Sequence, residues 1–574
     1  SKYLAMQLLD IAVLVLMMVG VSVYGIWKSR STAKSDSVKE FIVGSDASVL
    51  SVALSVCSGF ISSISLLGFP GEVFYNGAMI LWYIPMYFIS FPLVAYVFLP
   101  VHYGLKLTSI YEYFELRFNR GCRAITAFLF VLEIILYNAV ALYAPSVAIG
   151  ALLELPIPLS IVMTAAISAL YICVGGARSG IHTSAVQMVL IFVCMALIAG
   201  LSLRDTQLST VIERIQVGGR LRLDETRVDP LLRHSIPSLL LGGTGTILSL
   251  FAANQMSLQK YLSMRTLKQA QRVVLTNIPC NILIMVVYVS TGFLIFSVYF
   301  DCTPKIATRN ELLPYFVLDK LSVYPGLTGL FAVAVYNAGI STLSATFSSG
   351  NAVILEDVVR PVFQLATGTR LPDHVAAKAI RILPIVFAFV AIGLALLCAK
   401  LDSLVLQLAF SIFGVVGGPV LGGFILGFFF PFIRGRAAFV AILAATFSSF
   451  YIASGAFSRK IGAIALPVNT QCSNVTDFSY SLADETVRNA VTDISGSSWE
   501  QIFRISYQYY SVVGVVVCLV VGLLAQLILS LTGFSDGKEA VKRSLLSPFI
   551  TRSSATIIEM QGTKEVFIKE TGTV

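Results

Sequence analysis

Two apolar stretches of this chain hold more oxygen than a membrane helix needs. Ser51 to Tyr75 reads SVALSVCSGFISSISLLGFPGEVFY, with Ser55, Ser58, Ser62, Ser63 and Ser65 around Gly59, and it closes on Gly68-Phe69-Pro70-Gly71. Residues 337–353 read NAGISTLSATFSSGNAV and carry Ser341, Thr342, Ser344, Thr346, Ser348 and Ser349. Hydroxyls, together with carbonyls freed by an interrupted helix, are the hard oxygen ligands a small cation takes. Serine in a membrane helix also bonds to its own backbone, and most of the second group, Ser348 included, is expected to do so. The adjacent Ser341-Thr342 pair is the one expected to ligate.

Other chemistry finds little material. Nine cysteines show no C-x-x-C spacing and there are four histidines, so neither a zinc site nor a Ser/His/Asp centre emerges. The expectation is a protein that is not an enzyme and needs no cofactor. Glu133, in FLFVLEIILYNAV, is the one acid well inside a core span. A carboxyl in hydrocarbon marks an ion- or proton-coupling group, or an acid held neutral by a neighbouring helix. No Lys or Arg is expected near the middle of the spans around these oxygens. An anion bound there would rely on the cation itself, on hydroxyls and on N–H groups at a half-helix N-terminus.

The elements that must position these groups are membrane helices. The 574 residues are 56% hydrophobic and 12% charged, with mean hydropathy +0.84; an average soluble domain is about 25% charged. Apolar runs long enough to span recur throughout, and the short alternating segments of a β-barrel do not. Thirteen spans are predicted at about 8–27, 47–76, 79–104, 124–150, 157–175, 183–203, 236–257, 273–299, 325–354, 378–399, 403–432, 436–456 and 509–534. The first run is long enough to remain as a span rather than a cleaved signal. The net charge of +9 sits in short loops, which argues for membrane orientation rather than nucleic-acid binding.

Lys28, Arg30, Lys34 and Lys39 follow span one, and Lys106, Arg117, Arg120 and Arg123 follow span three. Lys260, Arg265, Lys268 and Arg272 follow span seven, and Arg434 and Arg436 follow span eleven. All fall on one side, which the positive-inside rule assigns to the cytoplasm, leaving the N-terminus outside and the C-terminus inside. Asn474-Val475-Thr476 is then a glycosylation sequon in an outside loop, consistent with a plasma-membrane protein. Cys302 and Cys472 are the cysteines in outside loops; an oxidising compartment lets them pair, and two separate thiols are the alternative.

Span two has a counterpart. If spans two and seven open two inverted five-helix repeats, both opening helices are interrupted by small residues, the second at Gly242-Gly243-Thr244-Gly245-Thr246. Close helix packing is the plainer reading of each stretch alone. The chain then divides into 1–46, an outside segment, first span and cytoplasmic loop; 47–203, the first repeat; and 204–235, an extracellular loop. It continues with 236–432, the second repeat; 433–534, two further helices and the glycosylated loop; and 535–574, a flexible cytoplasmic tail.

The sequence resembles the solute:sodium symporter family, in the branch of the sodium/iodide, sodium-coupled monocarboxylate and sodium-dependent multivitamin transporters, over about residues 5–535. LGFPGEVFYNG, LYNAVALYAPSVAIG, SMRTLKQAQ, AGISTLSATFSSGNAVILEDVVRP and GGPVLGGFILGFFFP carry the resemblance. It implies an all-α, leucine-transporter-like core of ten helices in inverted repeat. It also implies sodium ligated by carbonyls of Ser58, Ile61 and Ala338 and hydroxyls of Ser341 and Thr342, with substrate at Ser62, Ser65 and Tyr143. Ser65 stands where the iodide-transporting relative has glutamine and sugar-transporting relatives have histidine, which disfavours sugar and weakens iodide.

A second departure is GGARSGIHTSAVQ, where Arg178 and Ser184 replace the family's lysine and aspartate. The implied activity is sodium-coupled symport of a small organic anion, a monocarboxylate or a vitamin such as biotin or pantothenate, by alternating access. The alternatives are an iodide-like inorganic anion symporter and a sodium-dependent sensor or leak conductance on the same fold. The partners implied are sodium, the anion and the lipid bilayer.

Overall fold

In lipid the backbone must satisfy its own hydrogen bonds, and among the described residues it does so in helices alone, with no β-strand. The computed structural model describes residues 8–32, 48–400, 405–459, 461, 465–470, 472, 499–533 and 541–550. Asn474 and the tail beyond 550 lie outside the described residues.

Local sequence sets the helix starts. Asn119 Oδ1 accepts from the Cys122 amide to begin Arg120–Leu153, and Thr266 Oγ1 accepts from Gln269 to begin Leu267–Val298. Each satisfies an amide that the first helical turn leaves without a partner. Nine described helices are long and apolar enough to cross a bilayer, and the bent pair Val49–Phe60 and Ser63–Asn76 makes a tenth. Three shorter apolar segments, Leu8–Val21, Ile157–Ala166 and Ser238–Ala252, fall at the other predicted span positions. Residues Ile157–Asp205 are helical throughout, where two separate spans are predicted.

Spans two and seven are both broken, though the second break is not at its glycines. The first helix stops at Phe60, bends by 60° and restarts at Ser63. It then runs through Pro70 to Asn76, so Gly68-Phe69-Pro70-Gly71 does not end it. In span seven the helix Gly243–Ala252 passes through the glycine run and breaks at Ala253-Asn254, before Gln255–Leu262. The glycines serve packing instead: a Cβ on Gly242 would stand 2.6 Å from the Gln508 carbonyl oxygen. Close approach of the last membrane helix is what requires Gly242 there.

The hydroxyl-rich helix Leu327–Val353 lies at the centre, against Arg120–Leu153, Ile157–Asp205 and the leading half-helix Val49–Phe60. The apolar stretch within Leu327–Thr367 is 89% buried, whereas that of Tyr507–Leu531 is 22% buried. Oxygen-rich surface therefore faces protein, and the outer helices present hydrocarbon. The C-terminal helices Gly435–Ser458 and Tyr510–Leu531 pack on Val405–Phe429.

Candidate functional site

The first break is a two-residue interruption. Ile61 caps the leading half-helix, its amide donating to the Cys57 carbonyl across 2.7 Å. Ser62 caps the trailing half, its Oγ accepting from the Ile64 amide at 3.2 Å. A helix end leaves its last carbonyls without intrahelical donors, and the leading half-helix ends inside the protein at Ser58 to Ile61.

Ser341 and Thr342 face that end. Ser58 Oγ and Ser341 Oγ are 2.6 Å apart, and Thr342 Oγ1 lies 3.4 Å from the Gly59 carbonyl and 3.1 Å from that of Ala338. Of the sodium ligands implied by the resemblance, Ser58, Ser341, Thr342 and the Ala338 carbonyl are joined by these contacts, and Ile61 caps the half-helix end beside Ser58; all five residues are buried. Ser184 joins them, accepting from Ser341 Oγ at 2.8 Å. With serine in place of aspartate, the cluster is made of neutral oxygens. Ser344, Thr346 and Ser349 do bond to carbonyls of their own helix. Ser348 Oγ, for its part, accepts from the Gln259 side-chain amide at 3.2 Å.

Next to this cluster lies a cavity of about 70 Å³. Ser62 and Ser65 line it, and Ser65 Oγ donates to the Ser62 carbonyl at 2.8 Å. Tyr143 does not line it. Six residues farther back on the same helix Tyr137 does, together with Asn281, Tyr288 and Tyr87, none of which the sequence reading singled out. Tyr137 packs at a tilt against Phe413 with ring centres 4.5 Å apart, and Phe60 likewise against Phe251 at 4.5 Å. The lining is aromatic with a few hydroxyls and one amide, and it contains no Lys or Arg.

Two charged arrangements border the site, and both correct the sequence reading. Glu72, also inside span two and fully buried, is paired in two places with Arg233, Nε to Oε1 at 3.0 Å and Nη2 to Oε2 at 2.8 Å. Arg233 Nη1 also donates to Gln407 at 2.6 Å, and Gln407 follows cavity-lining Leu406. Glu133 is thus not the one core acid. At the other end, Lys260 Nζ donates to the Ser55 carbonyl at 2.5 Å, so a lysine does approach the middle of a core span.

Glu133 is buried and accepts from Asn254 Nδ2 at 2.6 Å, at the second break. Cys302 and Cys472 form a disulfide.

A model of the sodium:solute symporter family matches residues 41–445. The chain belongs to that family. It is 30% identical over 537 residues to sodium-coupled monocarboxylate transporter 1 of Homo sapiens, covering 90% of this chain and 87% of that one. It is 32% identical to sodium-coupled monocarboxylate transporter 2 of Bos taurus, covering 91% and 83%. Identity is also 32% to the sodium-dependent multivitamin transporter of Oryctolagus cuniculus, covering 86% and 78%.

Among solved structures, a Na+-coupled sialic acid symporter in a substrate-bound outward-open state aligns with TM-score 0.74 at 19% identity, covering 91% of this chain and 98% of that one. A likeness at that identity concerns the fold, and it agrees with the leucine-transporter-like core. This sodium:solute symporter is a multi-pass membrane transporter and not an enzyme.

Proposed function

We propose that the protein couples the entry of sodium to that of a small organic anion, a monocarboxylate or a vitamin such as biotin or pantothenate. The observation that carries this reading is the meeting of Ser341 and Thr342 with the end of the half-helix Val49–Phe60, beside an aromatic cavity lined by Ser62 and Ser65. Sodium takes the carbonyls of Ser58, Ile61 and Ala338 and the hydroxyls of Ser341 and Thr342. The anion lies in the cavity, its polar end toward Ser62 and Ser65 and the trailing half-helix N-terminus, where amide dipoles favour negative charge.

Because no cationic side chain lines the cavity, bound sodium supplies the positive charge the anion needs. Each ligand then raises the affinity for the other, which is the thermodynamic content of coupling. Transport proceeds by rocking of one helix bundle against the other at the plasma membrane, with the N-terminus outside and the C-terminus in the cytoplasm.

The test is uptake of labelled lactate, nicotinate, biotin, pantothenate and iodide with sodium and with choline in its place. Sodium-dependent accumulation of an organic acid is expected. Accumulation of iodide alone favours the inorganic-anion alternative. Sodium current without accumulation of any of them points to a leak or sensor, the alternative raised by Ser184 in place of the family aspartate.

A further inference from the structure

Lys260 lies on the short helix Gln255–Leu262, just after the second break, and its side chain reaches across to the first. Nζ donates to the Ser55 carbonyl at 2.5 Å. A Cβ built on Gly59 would stand 3.1 Å from the same Nζ, so the ammonium lies flat against the last full turn of Val49–Phe60. Ser55 precedes Ser58 by three residues, about 4.5 Å along a helix axis. Gly59, whose flank meets the ammonium, offers its carbonyl to Thr342 on the sodium side. Lys260 is therefore directly behind the sodium cluster, separated from it by one residue of backbone.

The end of a helix carries about half a negative charge. A sodium ion among the carbonyls at Ser58 to Ile61 and an ammonium on the Ser55–Gly59 turn are drawn to the same pole, and they repel each other. The site is buried, so salt screens that repulsion little.

We infer that Lys260 is a tethered counter-cation of the sodium site, neutralising the helix end when the site is empty and weakening sodium when it is full. Its role is positioning and electrostatic, and it is not a ligand. Release on the far side needs a sodium affinity that is not too high, and the empty carrier needs its exposed carbonyls compensated for the return step. One tethered ammonium serves both needs. The cavity lining itself holds no cation.

This inference rests on the sodium assignment above, and the experiment separates the two. Sodium-dependent uptake is measured for wild type, Lys260→Gln and Lys260→Arg at matched surface levels. Glutamine keeps an N–H donor for Ser55 but loses the charge. The expected result is a half-saturating sodium concentration at least threefold lower in Lys260→Gln, with a lower maximal rate as release slows, and wild-type sodium dependence in Lys260→Arg.

An unchanged or higher half-saturating sodium in Lys260→Gln overturns the inference, since a merely structural contact would cost rate or expression without tightening sodium. Should Lys260→Gln not reach the surface, sodium-dependent thermal protection of the purified full-length variant gives the same comparison. Wild-type uptake that ignores sodium refutes the underlying assignment instead.

Discussion

Asn254 Nδ2 donates to Glu133 Oε1 across 2.6 Å, and Asn254 Oδ1 accepts from the Met256 amide at 2.8 Å. The buried carboxyl group therefore holds the residue that caps the helix after the second break. The break in span seven is pinned from span four, much as Ser62 caps the trailing half of the first. Glutamine at position 133 keeps a carbonyl oxygen for Asn254 and removes the titratable proton. Glu133→Gln is expected to reach the surface at wild-type levels with an altered pH profile of uptake. An unchanged profile with full uptake would leave Glu133 as a purely structural acid. Alanine there leaves the Asn254 amide without its acceptor, at a cost of about 1–3 kcal/mol.

Glu72 and Arg233 tie the trailing half-helix to the loop ahead of the second repeat, and Gln407 brings in the helix that carries cavity residues Leu406, Ala409 and Phe410. Breaking one side of a buried pair costs about 3–5 kcal/mol, because the other charge stays buried and unpaired. Glu72→Ala and Arg233→Met are each expected to lower the melting temperature and the surface level markedly. The double variant Glu72→Ala/Arg233→Met should be less damaged than the sum of the singles. Strict additivity in that cycle would mean the two side chains do not act as a pair.

Much of this was legible in the sequence. Hydropathy located the membrane segments, because each must satisfy its backbone within about 20 residues. The hydroxyl pair on span nine and the break in span two were both visible as oxygen where hydrocarbon belongs. The second break was misplaced because a glycine run has two physical uses, opening a helix or admitting a neighbour, and Gly242 serves the second against Gln508. The residue that marks the break, Asn254, is an ordinary helix cap whose signal was masked by the richer run before it. Lys260 was read as a loop charge because its Cα follows the span, while its long side chain reaches back to Ser55. The aromatic cavity was invisible for a different reason: Tyr137, Asn281 and Tyr288 look like ordinary membrane-helix residues until tertiary packing brings them together.

The disulfide between Cys302 and Cys472 joins segments 170 residues apart. Hydrogen bonds flank it, Thr303 N to the Asn469 carbonyl at 2.8 Å and Asn469 Nδ2 to the Asp301 carbonyl at 2.8 Å. Both thiols should resist a membrane-impermeant maleimide in intact cells and label after mild reduction. Labelling of both without reduction would show the bridge to be absent. With the flanking hydrogen bonds kept, Cys302→Ser/Cys472→Ser is expected to retain sodium dependence and to lose thermal stability.

Ser341 is the centre of the hydroxyl chain, 2.6 Å from Ser58 Oγ and donating to Ser184 Oγ at 2.8 Å. Removing a ligand hydroxyl leaves a small cavity but costs sodium one oxygen. Ser341→Ala and Thr342→Ala should raise half-saturating sodium, by about tenfold for each 1.4 kcal/mol of ligation lost. Ser348→Ala should leave it unchanged, since that hydroxyl meets Gln259 rather than the cluster. Ser184→Asp restores the carboxylate of the family pattern beside Ser341 and should lower half-saturating sodium, because a fixed negative charge adds to a cage of neutral oxygens. If Ser348→Ala shifts sodium dependence as far as Ser341→Ala, the ion lies lower on the helix than the Ser58–Ser341 contact. If none of the four moves it while the protein reaches the surface, the oxygen-rich break in span two serves some purpose other than holding sodium.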